Sequence, residues 1–85
     1  MNVLYSKLFL RQYRKFSAVL QDKIEKRIEL FLEEPLNPLL HNHSLKGVYA
    51  HHFSINITGD YRAIYKKEED LVTFVAIGTH SELYS

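Results

Sequence analysis

Cysteine is absent from this chain of 85 residues, which excludes both a disulfide framework and a thiolate metal site. That absence fits a reducing cytoplasm, the compartment expected for the protein. No apolar run is long enough to span a bilayer, and the first residues carry no leader-like apolar core. Neither sign of charge dominates: 11 basic residues against 10 acidic ones leave a net charge of +1. Bulk polyelectrolyte attraction is therefore not what would draw a partner. Repeats, linkers and low-complexity stretches are also missing, so the length predicts one domain over residues 1–85, with room for one core. With 46% hydrophobic and 25% charged residues, the composition is that of an ordinary globular protein.

What is present is unevenly placed. Four basic residues (Lys7, Arg11, Arg14, Lys15) and no acidic one lie between positions 7 and 15, and all five histidines come after residue 40. Val3-Leu4-Tyr5 reads as a short first strand, and Ser6 as the cap of a helix beginning at Lys7. Phe9, Tyr13, Phe16 and Leu20 recur at helical spacing. Ser17 is placed to cap a second helix with an apolar stripe of Leu20, Ile24, Ile28, Phe31 and Leu32. Pro35 ends that helix, because it lacks an N–H and turns Glu34 away from helical geometry. The segment from Pro35 to Gly47 reads as a surface loop.

Three strands are expected after it, at about 48–58, 61–66 and 71–77. Strict alternation puts Phe53, Ile55 and Ile57 on one face, and His52, Ser54 and Asn56 on the other. Gly59-Asp60 supplies the turn of a hairpin. Leu71 to Ile77 has almost no polar alternation, as in a strand covered on both faces. These elements predict an α+β fold in the order β-α-α-β-β-β: a helical hairpin packed on one face of a small antiparallel β-sheet. The opposite face would stay open for function.

The residues themselves bear on two kinds of chemistry. Zinc is disfavoured, because His41 and His43 sit two apart in a loop and His51-His52 are adjacent, with no matching set of further ligands. Metal-free RNA cleavage needs a proton acceptor for the 2′-hydroxyl, a donor for the leaving 5′-oxygen, and a cation where charge builds on the phosphate. Histidine suits the proton transfers, arginine the phosphate and aromatic rings the bases. His43, Asp60, Arg62, His80 and Tyr84 supply these types, with Lys46 as a phosphate contact. Each also has a plainer reading: Asp60 as a turn residue, Arg62 as a strand cation, His80 as a cap and Tyr84 as a core anchor. The Lys7, Arg11 and Arg14 stripe reads equally as a solvated helix face.

Three segments carry a family resemblance: His43-Ser-Leu-Lys-Gly47, Gly59-Asp-Tyr-Arg-Ala-Ile-Tyr65 and Gly78-Thr-His-Ser-Glu-Leu-Tyr84. Together they resemble the RelE/ParE superfamily of bacterial type II toxins, and most of all its YafQ-like mRNA interferase branch. The resemblance implies a RelE-like fold and a toxin that enters the ribosomal A site. There it would cleave mRNA without a metal or other cofactor, by attack of a ribose 2′-hydroxyl. It also implies a cognate antitoxin, and contact with operator DNA only through the toxin–antitoxin complex.

By position, His43, Asp60, Arg62, His80 and Tyr84 match the expected catalytic set. Arg62 stands where RelE-like members carry a phosphate-binding arginine. Lys46, His52, Asn56, Lys7, Arg11 and Arg14 are the expected RNA contacts. Asn56 departs from the branch, which has a histidine there; His52, four residues back, is the candidate substitute. Two other readings share the fold: a ParE-like inhibitor of DNA gyrase, and a toxin that has lost its catalysis.

Overall fold

Two serines start the helical layer. In the computed structural model, which describes residues 1–84, the Ser6 hydroxyl accepts a hydrogen bond from the Phe9 N–H at 3.0 Å. It opens helix α1, Lys7–Arg14. Ser17 does the same for the Leu20 N–H at 3.2 Å, opening α2, Ala18–Glu33. Each cap satisfies an amide that has no partner inside the helix. Glu34, biased away from helical geometry by Pro35, ends α2 with φ −138° and ψ 74°.

Five strands form one sheet: β1 (Asn2–Tyr5), β2 (His43–Ser44), β3 (Phe53–Thr58), β4 (Tyr61–Glu68) and β5 (Leu71–Thr79). Their order across the sheet is β1-β5-β4-β3-β2. The sheet is mixed rather than wholly antiparallel, because β1 pairs in parallel with β5, Val3 opposite Val72. An apolar strand such as β5 needs partners on both edges, and β1 supplies the second. The expected loop at 35–47 holds a short helical turn, Pro38–Leu40, and the edge strand β2.

The strand predicted at 48–58 begins later than expected, at Phe53. Residues Gly47–Tyr49 form another tight helical turn, and His51 takes a positive φ of 67°. His52 therefore stands before β3 and outside its register with Asn56. At the other end the last strand runs on to Thr79 and a short helix, α3 (His80–Tyr84), follows it.

Helices α1 and α2 bury their apolar stripes against one face of the sheet. Phe9, Ile24, Ile28 and Phe31 pack with Ile55, Ile57, Tyr65 and Phe74. Phe74 sits at the centre of an aromatic cluster, 5.7 Å from both Phe31 and Tyr65 and 5.9 Å from Phe9. Truncating such a buried ring costs about 3–5 kcal/mol. Leu32, placed in the α2 stripe by spacing, is exposed.

A break in the β4–β5 register between Ile64 and Tyr65 leaves Val75 without a partner on β4. Its carbonyl is taken instead by the Ser6 hydroxyl at 2.8 Å. The extra residue re-aims the end of β5. The sheet's second face is not wholly open: Ser54, Ile64, Ala76 and Gly78 are buried, and α3 folds back over it.

Candidate functional site

The site is assembled on that second face, and its residues come from successive strands. His43 lies on β2, Ser54 opposite it on β3, Arg62 on β4, and His80 immediately after β5. In the strand order, Arg62 on β4 lies between His43 on β2 and the end of β5. His41, Leu45 and Tyr84 complete a cavity of about 400 Å³ lined by these seven residues. Among the described residues the lining holds three imidazoles and one guanidinium and no carboxylate, so it favours an anion.

Each cationic or titratable group is held by a local feature. His41 ends the Pro38–Leu40 turn in the left-handed region at φ 43°. That conformation costs a residue other than glycine about 1 kcal/mol. The bend lets the His41 carbonyl meet Nδ1 of His43 at 2.8 Å. A carbonyl only accepts, so Nδ1 donates, and in the neutral form of the ring the lone pair is on Nε2. Arg62 lies opposite Asn56 on one side and Gly78 on the other. Its Nη1 donates to the carbonyls of Gly59 and Tyr61, each at 3.2 Å, which leaves other donors of the fork unused among the described residues.

His80 and Tyr84 belong to α3, whose start is a reciprocal cap. The Glu82 carboxylate accepts from the Thr79 N–H at 2.8 Å, and the Thr79 hydroxyl accepts from the Glu82 N–H at 3.3 Å. The Thr79 amide holds the Glu82 carboxyl below its usual pKa. Gly78 permits the close approach: a Cβ there would stand 3.2 Å from Glu82 Oε1 and 3.7 Å from Leu83 Cδ2. Within α3 the rings of His80 and Tyr84 are 4.7 Å apart.

Four of the five residues expected to be catalytic thus line one cavity: His43, Arg62, His80 and Tyr84. Asp60 does not. It sits exposed in the β3–β4 turn, and its backbone carbonyl accepts from the His80 N–H at 3.2 Å. Among the expected RNA contacts, Lys46 lines a smaller cavity beside the first. Asn56 is half-buried, with an Oδ1 that has no hydrogen-bond partner among the described residues. The His52 ring packs edge-on to Tyr49 at 5.9 Å. Lys7, Arg11 and Arg14 are exposed on α1, in the layer on the opposite side of the sheet. His41, Leu45 and Ser54 line the cavity as well, beyond the residues expected there. Ser54 was legible as a polar residue on the alternate face, whereas His41 and Leu45 depend on how the loop folds.

The bacterial toxin model for YafQ of type II toxin–antitoxin systems matches residues 1–85. The chain belongs to the YafQ toxin family. Solved structures agree on the fold. YafQ from E. coli BL21(DE3) superposes with a TM-score of 0.77 at 23% identity, covering 99% of this chain and 98% of that one. A YoeB/ParE toxin from Agrobacterium tumefaciens gives 0.76 at 21% identity, over 94% and 99% of the two chains. The E. coli DinJ–YafQ complex gives 0.74 at 23% identity, over 99% and 98%. No curated protein matches the chain by sequence. Among the described residues of this YafQ-family chain, no helix is long and apolar enough to cross a membrane.

Proposed function

We propose that this chain is a ribosome-dependent mRNA endoribonuclease of the cytoplasm, the toxin partner of a cognate antitoxin. The observation that carries the reading is the convergence of His43, Arg62, His80 and Tyr84, from separate stretches of chain, on one anion-favouring cavity. The DinJ–YafQ complexes support the antitoxin as the partner of this family member. Operator DNA would be met only through that complex.

The proton inventory assigns the roles. Nε2 of His43, the ring's free lone pair, takes the proton of the ribose 2′-hydroxyl. The 2′-oxygen attacks the phosphorus, and the bond to the 5′-oxygen breaks. His80, on the far side of Arg62, gives that oxygen its proton. The products are a 2′,3′-cyclic phosphate and a 5′-hydroxyl. Arg62 stabilises the charge that builds on the phosphate oxygens, where a planar fork binds two at once. Tyr84 stacks on a base beside the cut. Asp60 fixes the backbone of His80 rather than moving a proton, and Asn56 hydrogen-bonds the ribose or phosphate next to Arg62. Lys7, Arg11 and Arg14 meet ribosomal RNA, with His52 and Lys46 flanking the message.

Primer extension on a defined message in a purified translation system tests this. Added protein should produce cuts within the translated region, and Arg62→Ala should remove them. Intact message, or filamentation with SOS induction on expression in cells, would favour gyrase as the target instead.

A further inference from the structure

Beside the cavity of Arg62 and His80 lies a second one of about 280 Å³, lined by Lys46, Val48, Tyr49, Leu83 and Tyr84. Tyr84 lines both. Tyr49 and Tyr84 meet edge to face, their ring centroids 6.1 Å apart at 89°. Leu83 adds an apolar wall, and Val48 is an apolar lip that is 96% exposed. Among the described residues Lys46 is exposed, in no ion pair, and the only charged group lining the cavity. An aromatic, apolar recess with one cation at its edge suits a flat uncharged ring joined to an anion. That is the chemistry of a nucleotide in single-stranded RNA.

We infer that this recess is a subsite for the nucleotide flanking the cleaved linkage, with its base against Tyr49 and its phosphate at Lys46. The inference rests on the nuclease reading above and adds where the neighbouring base goes. Continuity through Tyr84 commits the occupant to the same RNA strand. A strand that placed its scissile phosphate at Arg62 would pass over Tyr84 into the recess. The tight turn at Gly47–Tyr49 holds Tyr49 in place: the Ala50 N–H donates to the Gly47 carbonyl at 3.0 Å, and the His52 N–H to the Tyr49 carbonyl at 3.0 Å.

The test is a cycle between protein and message in the purified translation system. Messages carry either an ordinary nucleotide or an abasic one at each position flanking the cut. Wild-type protein should cleave one of the two abasic messages about tenfold more slowly, the loss expected for one stacked base. Tyr49→Ala should lose about the same on the ordinary message and nothing further on that abasic one. Tyr49→Phe, which keeps the ring, should behave as wild type. Val48→Glu, at an exposed position with little packing to lose, should slow cleavage of the ordinary message by repelling the phosphate.

Losses that multiply when Tyr49→Ala meets the abasic message would overturn the inference, since Tyr49 would then act only by supporting Tyr84. Equal cleavage of all messages by wild type and Tyr49→Ala would also overturn it, leaving the nuclease reading intact. No cleavage of any message by wild type would remove both.

Discussion

In the proposed reaction His80 and Arg62 act on the same phosphate in different ways, and substitution should separate them. His80→Gln keeps a hydrogen-bonding side chain but cannot deliver a proton near neutral pH. Cleavage at saturating ribosome should fall by about 10²–10⁴-fold, the usual contribution of a positioned acid, with ribosome affinity nearly unchanged. Equal losses in both would make His80 a binding residue. Arg62→Lys keeps the charge and loses the fork, so it should recover only part of what Arg62→Ala removes. The types of these residues were legible in the sequence. The contact of Asp60 with His80 was not, because it is made by a backbone carbonyl and every residue has one.

At the scale of elements, α3 decides where His80 and Tyr84 stand, and its cap responds to pH. Glu82 has its pKa lowered in the folded state by the Thr79 amide, against an ordinary value of 4.5. A lowered folded pKa contributes stability above the unfolded value, and that stability is lost as pH falls through the folded one. The α3 cap should therefore hold at neutral pH and loosen progressively below about pH 4.5. The Thr79 amide resonance should follow that titration, and Glu82→Gln should abolish its pH dependence. A Thr79 amide indifferent to pH would disprove the cap.

Gly78→Ala should act on the same element. Its Cβ crowds the Glu82 carboxylate, so cleavage should drop while the melting temperature moves by only a few degrees. An unchanged rate would show that α3 tolerates the shift.

The two main helices and the β3–β5 meander were legible because serine caps, a helix-ending proline and period-two strands are local signals. Thr79-x-x-Glu82 is a local signal too, a capping box, and it would have located α3. Three features depended on distant partners and were not legible. The parallel β1–β5 pairing depends on the return of the chain after about 65 residues. The two-residue edge strand β2 has little pattern of its own. The turn at Gly47–Tyr49 depends on left-handed geometry at Gly47 and His51, which interrupts what reads as a continuous strand.

At the scale of the whole molecule, the sheet divides the protein into two surfaces. The cavity lies on one, and Lys7, Arg11 and Arg14 project from the helical layer on the other. Replacing all three with alanine should weaken ribosome association and flatten its dependence on salt by up to about three phosphate contacts. The rate of cutting once bound should not change. Unaltered affinity across a salt series would reduce that stripe to a solvated face.

The most direct measurement uses a message with one 2′-deoxynucleotide on the 5′ side of a mapped cut. If the ribose 2′-oxygen is the attacking atom, that linkage should survive, ribosome binding should persist, and cuts elsewhere in the same message should be unaffected. Cleavage at the deoxy linkage at the ordinary rate would contradict the account, whatever residues line the cavity.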